Sequence, residues 1–292
     1  MDAETRPDGR GPAGASRPAL ADAYVELLKR TLIGANLGRV TYHVPVRQAA
    51  GPVRGAVARF LARRGGSVLA RPVTVDLEQA ADGSLFASYL PPGVMSMVGR
   101  ARMDNLEFCV RDVVSRGVPG DLIETGVWRG GSTIFMRGLL EALGDGSRRV
   151  YVADSFQGLP APDAERYPED RDLDLHLERD LAISLEQVKD HFRRFGLLDD
   201  RVEFVPGWFR DTLPGLAGHR WAVVRLDGDM YESTMDSLTN LYDGLSAGGW
   251  LIVDDYSIPA CREAVQDFRR ERGIDDPITE IDWTGVFWQK SR

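Results

Sequence analysis

Four aspartates in two short runs set the chemistry available to this chain. Leu226-Asp227-Gly228-Asp229-Met230-Tyr231 and Val253-Asp254-Asp255-Tyr256 each follow an apolar run of strand length. If those strands are neighbours in a parallel sheet, their carboxylates converge at one end of it. Ionised carboxylates so close raise each other's pKa unless a cation compensates them. A metal site among Asp227, Asp229, Asp254 and Asp255 is therefore expected. An oxygen-only donor set with no His or Cys nearby suits Mg²⁺, with Mn²⁺ or Ca²⁺ as alternatives, and not zinc. Capping of the helices that follow is the ordinary alternative role for such aspartates.

A second candidate site precedes these runs. Glu124-Thr125-Gly126-Val127-Trp128-Arg129-Gly130-Gly131-Ser132-Thr133 reads as a strand end, a glycine turn and a helix start. The glycines allow close backbone approach to a ligand, and the helix start presents free N–H groups to an anion such as a carboxylate. The run is neither Gly-x-Gly-x-x-Gly nor a phosphate loop with Gly-Lys-Ser/Thr, so a nucleoside triphosphate is disfavoured. Asp154, at the end of Val150-Tyr151-Val152-Ala153, is placed to accept both hydroxyls of an adenosine ribose, with Ser155 next to it. Gly207, Trp208 and Phe209 follow a further strand, where aromatic faces can border an adenine. Together these residues suggest an adenosine-bearing cofactor without deciding between hydride and methyl chemistry.

The elements that must position these groups are legible from Gly117 onward. Apolar runs at 121–124, 150–153, 202–205, 222–226 and 250–253 alternate with helical patterns at 132–143, 185–195, 233–245 and 259–270. Strand and helix repeated in this way predict a Rossmann-like, doubly wound α/β fold whose mostly parallel sheet is covered on both faces. Ligands then lie beyond the carboxyl ends of the strands, at the switch in strand order. Upstream, residues 1–18 carry the Pro, Gly, Ala and Arg composition of a disordered leader, and Pro18 to Leu32 has helical apolar spacing. From Val44 to Thr74 there are six arginines and no acid. Val53 to Arg64 within this stretch has the pattern of a short basic helix.

The bulk composition narrows the function classes. The chain has 292 residues and a formal net charge of -8, which disfavours phosphate-backbone binding, so no nucleic-acid partner is expected. Cys109 and Cys261 are far apart and fit neither a disulfide framework nor a zinc site, which points to a reducing, cytoplasmic setting. No run of 18 apolar residues and no apolar leader segment occurs, so neither a membrane span nor a secretory signal is expected. The four histidines, His43, His176, His191 and His219, include one in the charged loop 163–180, which reads as a lid.

Four motifs in order resemble the macrocin O-methyltransferase family. They are the 117–131 run ending in Trp128-Arg129-Gly130-Gly131, Asp154-Ser155-Phe156-x-Gly158-Leu159-Pro160, Leu226 to Thr234, and Gly248-Gly249-Trp250-Leu251-Ile252-Val253-Asp254-Asp255-Tyr256. The resemblance spans about residues 95–292. It implies a class I methyltransferase with a seven-stranded sheet and an N-terminal helical extension. It also implies S-adenosylmethionine and Mg²⁺ as cofactors, and a hydroxyl acceptor on a deoxysugar of a glycosylated natural product. A phenol or catechol of an aglycone is the alternative acceptor.

By the same resemblance Asp227, Asp254 and Asp255 hold the metal, and Asp227 is the general base. Glu124, Thr125, Gly126, Ser132 and Thr133 surround the methionine part of the cofactor, and Asp154 its ribose. Met95 to Gly99, Met97 among them, corresponds to a mobile segment that closes over the site. A homodimer or homotetramer is implied as well. The expected division is a leader at 1–18, a helical substrate cap at 19–100 with a basic insertion, and a methyltransferase domain at 101–292. A nicotinamide-dependent oxidoreductase is the main competitor from another class, and it has no need of Asp254 and Asp255.

Overall fold

The computed structural model describes residues 19–45, 70–78, 83 and 90–291. The leader and the basic helix read at 53–64 lie outside these residues. Helix α1 (Leu20–Leu32) is followed by a two-stranded antiparallel ribbon, β1 (Arg39–Pro45) and β2 (Ala70–Asp76). The ribbon was not anticipated from the sequence, because its two strands are separated by more than twenty residues. Helix α2 (Arg100–Ser115) then leads into the main sheet.

That sheet has seven strands in the order β5-β4-β3-β6-β7-β9-β8. In chain order they are β3 (Asp121–Thr125), β4 (Val150–Asp154), β5 (Val202–Pro206), β6 (Trp221–Leu226), β7 (Leu245–Val253), β8 (Thr279–Glu280) and β9 (Val286–Gln289). Strands β3 to β7 pair in parallel, and β9 and β8 close the edge in antiparallel fashion. Between them run α3 (Gly131–Ala142), α4 (Leu185–Arg194), the short α5 (Phe209–Thr212), α6 (Tyr231–Leu241) and α7 (Pro259–Arg272).

Alternation along the central strands divides the core into two layers. Leu122, Val152, Val223 and Ile252 join one buried cluster, while their neighbours Ile123, Ala153, Val224, Leu251 and Val253 join another. A strand buried on both faces must be apolar at consecutive positions, which is why these runs read as unbroken apolar segments. The first cluster includes α1, α2 and α3 side chains such as Leu28, Leu106 and Leu139, and the second includes Leu238 of α6 and Val265 of α7.

Two boundaries differ from expectation. The helix expected to reach Leu245 stops at Leu241, and β7 begins at Leu245, where the sequence had suggested Trp250. Leu245 is drawn into the sheet by pairing with Trp221, and the register then shifts before Val223 pairs with Trp250. Gly248 takes the left-handed φ of 81° that lets the strand bulge between these pairings. Among the described residues no helix is long and apolar enough to cross a membrane.

Candidate active site

Strand order reverses between β3 and β6, so the chain leaves these adjacent strands toward opposite faces of the sheet and a cleft opens beyond their ends. One part of the cleft is lined by Gly126, Asp154, Ser155, Trp208, Phe209 and Asp227. A second part is lined by Glu124, Ser132, Asp227, Asp254, Asp255 and Trp283. Met97, Trp128, Leu181, Asp227 and Asp229 border both, so the two are continuous.

Gly126 makes the junction possible. Its φ is 86°, and a Cβ there would collide with the backbone carbonyl of Asp227 on the neighbouring strand. Helix α3 begins after Gly130 (φ 85°) without a side-chain cap; Gly131 N–H donates to Met95 O at 3.1 Å, and the Ser132 and Thr133 amides are left to another acceptor. Asp154 fixes the loop between them: its carboxylate accepts the Val127 N–H at 2.8 Å and the Phe156 N–H at 2.6 Å. Trp128, Phe156 and Asp229 are the non-glycine residues with left-handed φ among those described, and all three sit in loops at this cleft. Backbone strain concentrated in this way marks a functional region. A Gly126→Ala protein is expected to melt below wild type, because a Cβ driven into the Asp227 carbonyl oxygen forces the two strand ends apart. An unchanged Tm would show that the strand ends can part at no cost.

The acidic residues meet as the strand pairing requires. One carboxylate oxygen from each of Asp227, Asp254 and Asp255 lies within 4.8 Å of the other two. The sequence reading missed their partners. Arg225, 1% exposed at its side chain, ion-pairs with Glu124 and Asp254 and reaches Asp227 at 2.7 Å. Arg102 ion-pairs with Asp254 and reaches Asp282 at 3.0 Å. Arg225 and Arg102 thus compensate part of the cluster's charge. A charged residue inside the otherwise apolar run Trp221 to Leu226 was the signal that could have found Arg225.

Charge is still not balanced. Glu124, Asp227, Asp229, Asp254 and Asp255 crowd against two guanidiniums. Burial, followed by the Asp254 charge, pushes Asp227 up to about 6, and burial with Asp227 and Asp254 pushes Asp229 to about 7. Burial lifts Glu124 to about 8 despite Arg225, and burial with Asp229 and Asp227 holds Asp255 well above the usual carboxylate range. Glu124 also keeps one buried oxygen, Oε2, with no partner among the described residues. The site therefore has the donors and the surplus negative charge to receive cations. Carboxylate oxygens carry two lone pairs each, so Asp254 can keep both arginines and still ligate.

These folded-state pKa values lie above their unfolded ones, so the stability they contribute is complete near pH 4 and is lost as pH rises through about 6 to 8. Without divalent cations Tm is expected to fall across that range. A divalent cation held by the deprotonated cluster would reduce the fall on addition of Mg²⁺, and the gap between the two curves would widen with pH. A gap that stays at zero throughout would remove the cation from this site.

Other sequence candidates are placed differently. Thr125 is fully buried and accepts the Ser237 hydroxyl at 3.2 Å, and the Thr133 hydroxyl donates to Gly130 O at 2.9 Å. Neither side chain lines the cleft. Gly207 stands just behind it, donating its N–H to Asp154 O at 2.9 Å. No histidine lines it among the described residues: His219 pairs with Asp121 at the start of β3, and His191 meets Arg129 O. The 163–180 loop forms short 3-10 turns and is pinned at Asp170, whose carboxylate accepts the Tyr231 and Glu232 N–H groups that open α6.

The profile of the Macrocin-O-methyltransferase (TylF) family matches residues 21–290, nearly the whole described chain. The chain belongs to this family. It is 57% identical over 215 residues, 73% of this chain and 82% of the relative, to an 8-demethyl-8-(2,3-dimethoxy-alpha-L-rhamnosyl)-tetracenomycin-C 4'-O-methyltransferase of Streptomyces olivaceus. It is 51% identical over 204 residues, 69% of this chain and 80% of the relative, to the mycinamicin III 3''-O-methyltransferase of Micromonospora griseorubida. Among solved structures the O-methyltransferase NovP superposes with a TM-score of 0.79 at 39% identity, covering 93% of this methyltransferase and all of NovP. The expectation of a class I methyltransferase fold with a mostly parallel seven-stranded sheet is borne out.

Proposed function

We propose that this methyltransferase moves the methyl group of S-adenosylmethionine to a hydroxyl of a deoxysugar on a glycosylated natural product, assisted by Mg²⁺. The observation that carries the reading is the carboxylate cluster at the junction of the two cleft regions, bordering the glycine-loop pocket on one side and an open outer cleft on the other. One relative is named for 4'-O-methylation of a rhamnosyl-tetracenomycin and another for 3''-O-methylation of mycinamicin III, which supports a sugar acceptor.

Displacement at a sulfonium methyl leaves the protein two tasks, orientation and removal of one proton. Holding two reactants together is worth roughly 7 to 11 kcal/mol. S-adenosylmethionine supplies the electrophilic methyl group when bound, and a divalent cation supplies charge that makes a hydroxyl more acidic. Asp227, Asp254 and Asp255 would hold the cation. The unpartnered oxygen of Glu124 and the uncapped start of α3 suit the ammonium and carboxylate of the methionine portion. Asp154, Ser155, Trp208 and Phe209 would border the adenosine. Asp227 accepts the acceptor's proton: Arg225 holds its Oδ2, and its other oxygen has no hydrogen-bond partner among the described residues.

Residues 19–100 would cap the acceptor side, residues 101–292 would form the catalytic domain, and the enzyme would act as a dimer or tetramer. Two buried free thiols suit a reducing cytoplasm. Titration with S-adenosylhomocysteine against NADH tests the cofactor, with binding expected for the first alone. Turnover on glycosides should vanish on exhaustive chelation and return with Mg²⁺. Full activity after chelation would refute the metal-assisted mechanism.

A further inference from the structure

The cleft carries a large aromatic surface that neither the cofactor pocket nor the acidic cluster uses. Trp283 stands in the turn between β8 and β9, lines the outer cleft with Asp227, Asp254 and Asp255, and keeps 63% of its surface exposed. An indole exposed on the wall of a cleft offers a flat, amphipathic contact surface to whatever enters it. The mount is firmly held. Asp282 accepts the Thr284 N–H at 3.0 Å and the Gly285 N–H at 2.7 Å, and its second oxygen accepts Arg102 Nε at 3.0 Å. The Thr284 hydroxyl donates to the backbone carbonyl of Asp254 at 2.9 Å and accepts from Ser257 at 2.8 Å. A Cβ on Gly285 would lie 3.0 Å from Arg102 Cδ, so the turn sits flush against the arginine that also binds Asp254. The turn that carries Trp283 is thus fixed relative to the carboxylates, and is not a free loop.

We propose that Trp283 is the stacking platform for the acceptor sugar, an inference that rests on the proposed deoxysugar acceptor. A deoxyhexose has an apolar face of C–H bonds and a C-methyl group, whose slightly positive hydrogens suit the negative face of an indole, and a polar edge of hydroxyls. The outer cleft divides in the same way. Met97, Val98 and Ile258 give apolar contact, while Ser257 and Thr284 and the carboxylates give polar contact. With its C–H face on Trp283, the ring directs its hydroxyl edge toward Asp227.

The test uses methyl α-L-rhamnopyranoside as probe, in saturation-transfer NMR with the wild type, Trp283→Ala and Trp283→Phe, each holding S-adenosylhomocysteine and Mg²⁺. Wild type should saturate the ring C–H and methyl protons, Trp283→Ala should lose about tenfold in probe affinity, and Trp283→Phe should retain most of it. S-adenosylhomocysteine affinity should be equal in all three. Equal saturation in wild type and Trp283→Ala, or none in wild type, overturns the platform. Altered sedimentation of Trp283→Ala with intact saturation overturns it too, in favour of a subunit contact. Wild-type turnover of a catechol and of no glycoside defeats the proposed acceptor instead, an outcome distinct from the loss or survival of saturation.

Discussion

An Asp227→Asn enzyme is expected to lose about 10² to 10⁴ in kcat, the usual weight of a general base, while S-adenosylhomocysteine affinity stays close to wild type. Asparagine keeps the shape and an oxygen for Arg225, which reaches Asp227 at 2.7 Å. It removes the proton acceptor and one of the three converging carboxylates. The variant should not be less stable. Burial and Asp254 already push the Asp227 carboxyl to about 6, so its ionised form opposes the fold at neutral pH. Measured near pH 8 without divalent cations, Tm of Asp227→Asn should equal or exceed that of wild type. A rate loss accompanied by collapse of Tm would mean that the side chain serves the fold and not the reaction. Retention of full turnover would end its assignment as the base.

The largest stability effect is expected at Arg225. Arg225→Met keeps much of the volume but leaves Glu124, Asp227 and Asp254 without the guanidinium that they share. Deleting one partner of a buried ion pair costs about 3 to 5 kcal/mol, because the remaining charges stay buried. At about 2 to 4 °C per kcal/mol for a domain of this size, Tm should fall by roughly 6 to 20 °C at pH 8. The drop should shrink as pH falls toward about 5, because Glu124 and Asp227, raised to about 8 and about 6, protonate and no longer require the arginine. Mg²⁺ should restore part of the loss for the same reason. A wild-type Tm for Arg225→Met would show that the cluster is compensated elsewhere.

These two expectations separate what is local in the sequence from what is not. The parallel core was legible because strands buried on both faces demand consecutive apolar residues, as in Trp221 to Leu226, and because each is followed by a helical pattern. The acidic tips were legible for a related reason. In a parallel sheet every strand delivers its next residues to the same end, so Asp227 and Asp254-Asp255 had to meet if β6 and β7 were neighbours. The ribbon of β1 and β2 was not legible, nor was the early start of β7, since both depend on pairing with strands distant in sequence.

The sequence alone determined an α/β methyltransferase-like sheet, a glycine turn after β3 and an acidic cluster with too much negative charge for its own side chains. Only the tertiary structure decided how that charge is shared. Arg102 lies 152 residues from Asp254 along the chain, and Arg225 reaches Glu124 across 101. Only the folded chain, likewise, brings Trp283 of the far antiparallel edge to the same cleft. Ion pairing and cleft shape depend on distances in space, and periodicity along a chain encodes only which face of an element is buried.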